Sequence, residues 1–295
     1  MIFSKNTAFF FTGKFMGKRN KELTRKNFWR IVVNSTSAFV LASLLIFYIN
    51  HFIMIFTAGM FGYDISFNYE VIYYHIEPYQ WTHDAVKLIY SAGPIVIFLL
   101  GVISLVGFYS MVEEPARAKI FFIWFTFLSF NYFFGGLLIG NLFTKGVGHV
   151  FNWMYLNSTE KMVVAMIGFF GLIGTAFLLA RPIAISANAY FNNFNEDIFP
   201  FFYTAQIIVP FLLGTIFIEL YFLPEPDFNI MWFWAPMLVL IFIIFMLLSY
   251  SEKLFFDEDK RKIEISKWMV ITAVVFYLGF RLVLSHEFYI YWSKF

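Results

Sequence analysis

The chain has 295 residues, of which 60% are hydrophobic, 23% are aromatic and only 14% are charged. A soluble domain cannot bury so large an apolar share, so this composition predicts that lipid is the solvent for much of the surface. The formal net charge of +2 is too small to indicate a nucleic-acid partner, and the lack of cysteine excludes disulfides, thiolate metal sites and thiol nucleophiles.

The N-terminal segment is basic. It contains no small-residue cleavage site after a short apolar core, which a secretory signal peptide requires. We therefore expect residues 1–27 to form a retained cytoplasmic arm, and residues 28–295 to form a single transmembrane domain. The basic residues of the arm are Lys5, Lys14, Lys18, Arg19, Lys21, Arg25 and Lys26.

Seven apolar stretches follow the arm. Each approaches the ~20 residues that a helix needs to cross a hydrocarbon layer of ~30 Å. They predict an all-α fold, a polytopic membrane helical bundle with about seven transmembrane helices. The alternative is six spans, with residues 163–179 re-entrant. The predicted spans are residues 28–49, 88–112, 120–143, 163–179, 201–222, 231–248 and 268–284.

The distribution of Lys and Arg predicts the orientation. With the N-terminus inside, the inner segments contain the basic arm together with Arg117, Lys119 and the charged connector at 251–267. The outer segments then contain few basic residues, which is the arrangement that the positive-inside rule favours. We therefore predict an N-in, C-out topology, which agrees with seven spans. The 44 Phe residues favour an AT-rich genome, and thus a bacterial cytoplasmic (inner) membrane or an organellar inner membrane.

The largest outer loop has a strand-like pattern. Between Ile65 and Tyr73, apolar residues alternate with polar ones. A period of two is typical of a half-buried strand, so this loop is predicted to form a short β-hairpin.

Arg281 is the most informative charged residue, because it lies beyond the middle of the last predicted span. A charge at the centre of a bilayer costs ~3 kcal/mol on insertion scales, so a partner inside the bundle is expected. Glu219 lies at a similar depth on the fifth span, and we predict an Arg281–Glu219 ion pair. Such a pair orders two helices or belongs to a transport path.

The third span combines a central amide with small residues. Asn131 is expected near the midplane, where it either bonds a neighbouring helix or lines a substrate path. Glycines in the second, third and fourth spans predict that these three helices form the tightly packed centre of the bundle. The packing glycines named for the third and fourth spans are Gly136, Gly140, Gly168, Gly171 and Gly174.

The five histidines are all predicted to lie on the outer side. Together with a carboxylate they could form a metal or haem site, and the candidate ligands are His51, His149, His286 and Glu287. The spacing gives no i, i+4 pair, and Ile290 breaks the HExxH zinc motif that His286 and Glu287 begin. No bound cofactor is therefore predicted.

No nucleophile elbow, phosphate loop or intramembrane aspartate is present, so the chain is not predicted to be an enzyme. The first hypothesis is a non-catalytic membrane subunit that anchors or assembles a larger complex, with the lipid bilayer and other membrane subunits as partners. The alternative is a transporter or channel for a small solute, an ion or a lipid. A second alternative is a metal- or haem-binding redox subunit.

Overall fold

A computed structural model describes residues 22–224, 228–249, 253–256 and 261–292, and for residues 228–233 it describes the backbone alone. Residues 1–21, which include most of the predicted basic arm, lie outside the described residues. The described part is mostly helical, as the composition and the apolar stretches predict. The helices are α1 (Arg25–Met60), α2 (His83–Ser110), α3 (Ala118–Phe143), α4 (Gly148–Trp153), α5 (Ser158–Ser186), α6 (Phe199–Tyr221), α7 (Phe228–Ser249) and α8 (Lys267–Val283).

Five helices among the described residues, namely α1, α2, α3, α5 and α6, are long and apolar enough to cross a membrane. The remaining two long helices, α7 and α8, coincide with the last two predicted spans. The part of α7 with described side chains is the shorter apolar helix Trp234–Ser249, and α8 has 17 residues. The helices begin where side chains can cap them: the hydroxyl of Thr24 accepts from the backbone N–H of Asn27, and Asn157 forms a capping box with Glu160.

The centre of the bundle is α1, which packs against α2, α3, α6 and α8. The most apolar window of α3 is 61% buried and that of α1 is 50% buried, whereas that of α5 is only 28% buried. The prediction that the second, third and fourth spans form the centre therefore holds for the third span and is wrong for the second and fourth, whose most apolar windows are 33% and 28% buried. Apolar periodicity does not distinguish a helix surrounded by protein from one that faces lipid, because both environments accept the same side chains.

One end of the bundle, which we call the sheet end, carries a small antiparallel sheet. It is the end at which α1, α3, α6 and α8 finish. Strands β1 (Ile65–Phe67) and β2 (Ile72–Tyr74) pair in the loop where residue alternation predicts a hairpin. The third strand, β5 (Phe288–Ile290), follows α8 and pairs with the other edge of β1, so that the order is β2-β1-β5.

The opposite end, which we call the arm end, is where α1 begins and α2 finishes. Asn34 on α1 connects three segments there: its amide donates to the hydroxyl of Tyr190 (3.0 Å) and to the carbonyl of Glu264 (2.9 Å), and it accepts from the backbone N–H of Ser266 (2.7 Å). Arg30 also donates to the carbonyl of Ile263 (2.8 Å). These bonds attach the connector before α8 to the start of α1. Strands β3 (Asn193–Phe194) and β4 (Leu254–Phe255) pair at this end.

Two helices contain π-helical segments, Asn131–Gly140 in α3 and Thr204–Ile208 in α6. A π-helical turn widens the helix and displaces side chains from their regular positions, and such turns are frequent at functional sites. The segment in α3 begins at Asn131, the amide that the sequence places near the midplane. Three residues of the α3 segment, Asn131, Tyr132 and Gly136, line a cavity in the bundle.

Candidate functional site

A cavity of about 250 Å³ lies inside the bundle, in the half nearer the sheet end. It lies between α1, α2, α3, α6 and α7, and the loop that follows α3 also contributes to its wall. Its wall is mainly apolar and aromatic, with a few amide, hydroxyl and imidazole groups. This combination is typical of small-molecule sites. The polar and aromatic residues of the wall are Ser43, Phe47, Asn50, His51, Tyr90, Asn131, Tyr132, Phe222 and Trp234.

Asn50 lies in this wall, and its side-chain amide makes fewer hydrogen bonds with the described residues than an amide group can form. The side chain is 8% exposed, and its Nδ2 donates to the thioether sulfur of Met54 at 3.2 Å, which is a weak acceptor. A Cβ atom added to Gly93 would lie 2.0 Å from the Asn50 Oδ1. The Asn50 amide therefore fits against the backbone of α2 because residue 93 has no side chain, and any larger residue at this position would displace the amide.

His51 connects the cavity to the sheet end. Its Nδ1 lies 3.0 Å from the carbonyl oxygen of Phe47, one turn earlier in α1, and its Nε2 lies 3.3 Å from the carbonyl oxygen of Glu70 in the β1–β2 turn. Both ring nitrogens therefore face backbone acceptors, which fixes the orientation of the ring. The imidazole thus borders the cavity and at the same time holds the turn above it.

An aromatic layer separates the cavity from the arm end. The ring centroid of Phe39 lies 4.9 Å from that of Trp124 and 5.3 Å from that of Trp234, and Phe211 completes the layer at 6.2 Å from Phe39. Trp234 is also part of the cavity wall. Phe39 lies directly against the backbone of α6, because a Cβ atom on Gly214 would meet its ring at 2.2 Å. Because Phe39 precedes the cavity residue Ser43 by one turn of α1, the layer lies on the arm-end side of the cavity.

Buried polar groups continue on the far side of the aromatic layer. The indole N–H of Trp124 donates to the hydroxyl of Ser35 (2.7 Å), and this hydroxyl donates to the backbone carbonyl of Gln206 (2.5 Å). Gln206 lies in the π-helical segment of α6 and is fully buried. Within the described residues its side-chain amide has no hydrogen-bond partner. Buried amides of this kind are normally bonded to protein or to ordered water.

The structure does not contain the predicted Arg281–Glu219 ion pair. Among the described residues, the ion pairs within 4.0 Å are Lys87–Asp84 and Arg117–Glu264. Arg281 instead donates to the carbonyl of Leu223, just past the end of α6, and its guanidinium carbon lies 3.7 Å from the ring centroid of Tyr69. A helix C-terminus and an aromatic face both attract a cation, and together they replace the expected carboxylate.

Arg281 belongs to a tyrosine cluster that the sequence analysis does not identify. The hydroxyl of Tyr48 lies 3.2 Å from the carbonyl oxygen of Tyr69, to which it can donate, and it also hydrogen-bonds the hydroxyl of Tyr221, where either oxygen can be the donor. The backbone N–H of Tyr69 donates to the carbonyl of Leu284 at the end of α8 (3.0 Å). The cluster therefore joins the β1–β2 turn to α1, α6 and α8. No signal in the sequence reveals it, because its members come from four separate segments.

The structure does not bring the candidate metal ligands together. The described residues contain no group of three or more His, Asp or Glu side chains that could hold a metal ion. His51 is bonded as described above, His149 lies against the ring of Tyr90 with centroids 5.0 Å apart, and His286 is exposed. Glu287 accepts from the buried hydroxyl of Ser66. A shared depth in the membrane does not bring residues together when they belong to different faces of the bundle.

The predicted packing glycines fall into three groups. Gly168 and Gly171 allow α5 to approach α3, because Cβ atoms on them would lie 2.6 Å from the carbonyl oxygen of Phe134 and 2.1 Å from its ring, respectively. Gly140 instead packs against the loop after α3, where a Cβ atom would lie 2.7 Å from a backbone oxygen, and Gly136 lines the cavity. Among the described residues, nothing lies within 4 Å of a Cβ atom on Gly174. The close helix contact that these residues show therefore ends one turn earlier, at Gly171.

The cavity combines predicted and unpredicted residues. Asn131 is 4% exposed and lies in the wall, at the first residue of the π-helical segment, and His51 lies in the same wall. The sequence analysis does not identify Asn50, although Asn50 and His51 together interrupt the first apolar stretch. That interruption is the sequence feature that could have identified Asn50.

No protein-family model, curated protein or solved structure matches the chain.

Proposed function

We propose that the protein is a non-catalytic, multi-pass membrane protein that binds a small solute inside its helix bundle and moves it across the bilayer. The cavity of about 250 Å³ with Asn50 and Asn131 in its wall is the observation that carries this proposal. Empty space and polar groups in a membrane bundle both cost stability, so their coincidence favours a ligand site. A subunit that only anchors other proteins has no need of such a cavity.

The surroundings of the cavity support movement of the solute as well as binding. The aromatic layer around Phe39 closes the side towards the arm end, and the β1–β2 turn held by His51 covers the sheet end. Polar groups resume beyond the aromatic layer at Ser35 and Gln206. A solute that passes the layer would therefore reach hydrogen-bonding groups on both sides. Transporters commonly place their binding site near the midplane between two such closures.

The proposed topology has seven spans, with α7 and α8 as the sixth and seventh and α4 outside the hydrocarbon layer. The arm end faces the cytoplasm, because Arg30, Arg117 and Lys119 lie there and the positive-inside rule places such residues inside. The sheet end, and with it the half of the bundle that contains the cavity, then faces outward. The proposed location is the cytoplasmic membrane of a bacterium.

A pair of serine variants tests the binding site. Ser43 on α1 lines the cavity, so Ser43→Leu fills part of it, whereas Ser37 lies on the same helix outside the cavity wall. Both hydroxyls donate to the carbonyl four residues earlier, at 2.9 and 2.8 Å, so Ser37→Leu is a matched control. Each protein would be purified gently from its own membrane, and the extracted small molecules would be identified by mass spectrometry. We expect one compound in the wild type and in Ser37→Leu that is depleted in Ser43→Leu.

The same compound would then be tested for flux. Uptake into liposomes containing the wild type, absent with Ser43→Leu, is the expected outcome. Identical extracts from all three proteins would contradict a ligand site in the cavity. Specific binding without flux would contradict transport and leave a binding protein.

Assembly into a larger complex is a second candidate, and the exposure of α8 favours it. Ala273 is the one buried residue of α8, and the outward side of this helix is apolar, with Val274, Val275 and Leu278 exposed. Such a face can contact lipid or another membrane subunit. Native mass spectrometry distinguishes the two cases: partner subunits at fixed stoichiometry support assembly, whereas a single chain or a homo-oligomer contradicts it.

A further inference from the structure

The residues that line the cavity determine the charge of a ligand that it can hold. No Asp, Glu, Lys or Arg is among the described residues of the wall. Among these residues, only the side chain of His51 can carry a positive charge, and a backbone carbonyl already lies beside each of its ring nitrogens. An ion moved from water into an apolar site without a counter-charge loses most of its hydration energy, and amide or hydroxyl dipoles recover only part of it. An ionic ligand is therefore disfavoured.

The volume and the walls indicate the shape of the ligand. An apolar cavity of ~150 Å³ accommodates benzene, so about 250 Å³ accommodates a larger molecule, such as one with two fused rings. Aromatic side chains border the space from several helices, including Tyr90 of α2, Phe222 after α6 and Trp234 of α7. Flat aromatic walls favour a planar, apolar partner because offset and edge-to-face contacts between rings are favourable.

Asn50 supplies a polar contact in this otherwise apolar space. Its N–H group is bonded to a thioether, which is a poorer acceptor than oxygen. A ligand carbonyl or hydroxyl at this position would give the amide a stronger hydrogen bond than the one to the thioether. The contact with Gly93 prevents the amide oxygen from moving towards α2. The amide is thus positioned in advance for a ligand, which lowers the entropy cost of binding.

We propose that the cavity selects an uncharged, ring-bearing molecule with a carbonyl or hydroxyl group that hydrogen-bonds Asn50. This inference rests on the proposed function and names the class of its solute. It separates the protein from transporters of inorganic ions, amino acids and phosphorylated metabolites. The ligand class is lipid-soluble, so it can reach the cavity from the bilayer as well as from the outer solution.

Three probes of matched size test the proposal. Naphthalene has no polar group, 2-naphthol adds a neutral hydroxyl, and 2-naphthoate adds a charge. Binding to the purified full chain in detergent would be measured by isothermal titration, with a micelle-only blank. We expect saturable binding of 2-naphthol, about five- to tenfold weaker binding of naphthalene, and no saturable binding of 2-naphthoate.

Two variants test whether the probes bind in the cavity and whether the amide of Asn50 contributes to their binding. Asn50→Leu, which is similar in shape, should bring 2-naphthol to the affinity of naphthalene, and Ser43→Leu should weaken the binding of both. Ser110→Ala, in an exposed position at the end of α2, is the control and should bind as the wild type does.

The outcomes separate this inference from the proposed function. If 2-naphthoate binds as tightly as 2-naphthol, the cavity is a ligand site but the neutral class is wrong. If Asn50→Leu leaves the preference for 2-naphthol unchanged, the role of the amide is wrong. If no probe binds the wild type better than Ser43→Leu, the proposed ligand class is rejected, and the extract comparison of Ser37→Leu with Ser43→Leu decides independently whether the cavity holds any solute.

Discussion

Replacing Arg281 with alanine should weaken the attachment of the β1–β2 turn to the ends of α6 and α8, where the backbone bond from Tyr69 to Leu284 remains. The guanidinium group makes two contacts there, one with the carbonyl of Leu223 and one with the face of Tyr69. A hydrogen bond from a charged group contributes ~1.5–3 kcal/mol, and a cation–π contact ~0.5–2 kcal/mol. Because the side chain is only half-buried, we take the lower halves of both ranges and expect a loss of about 2–3.5 kcal/mol.

A double-mutant cycle isolates the cation–π contact. The variants are Arg281→Ala, Tyr69→Leu and their combination, and the free energy of unfolding is measured by denaturant titration in mixed micelles. The two side chains touch, so their effects should not add, and a coupling of about 1 kcal/mol is expected. Tyr69→Phe is the matched control, because it keeps the ring under the guanidinium and removes only the hydroxyl, whose bond to Leu223 is long at 3.5 Å.

The assay has a clear refuting result. Additive effects of Arg281→Ala and Tyr69→Leu, with a coupling below ~0.3 kcal/mol, would show that the stacked arrangement contributes nothing measurable. A large effect of Tyr69→Phe would assign the stabilisation to the hydroxyl. Either result would refute the reasoning that the ring face replaces the missing carboxylate.

Two further substitutions test the packing. Gly214→Ala should destabilise the protein by about 1–3 kcal/mol, because the added Cβ atom meets the ring of Phe39, whereas Gly279→Ala in α8 meets nothing within 4 Å and should be neutral or slightly stabilising. Thermal unfolding compares them, and equal effects would contradict the close approach. Ser66→Ala should cost about 1–3 kcal/mol, because the buried hydroxyl joins an imidazole and a carboxylate in the sheet. Ser285→Ala, in an exposed position, is its control, and a matching loss there would contradict the role of Ser66.

Much of the helical architecture follows from local sequence features. An apolar stretch of about 20 residues has to satisfy its backbone hydrogen bonds internally when lipid surrounds it, and a helix does so within the segment itself. The alternation between Ile65 and Tyr73 likewise coincides with strands β1 and β2, because period two is a property of neighbouring residues. Asn131 can be identified from the sequence because it is an amide residue within a mainly apolar span. Each of these features depends on residues within one segment, so one sequence suffices to find them.

The partner of Arg281, the third strand of the sheet and the cavity depend on the tertiary structure. Every residue has a carbonyl and many have rings, so nothing local marks Leu223 and Tyr69 as the groups that receive the guanidinium. Strand β5 pairs with β1 across more than 200 residues of chain. The cavity lies where neighbouring helices are not in contact, and the sequence of a single segment does not reveal such a gap. The sequence by itself thus determines which segments are helical and apolar, whereas the packing of these helices decides which polar groups meet.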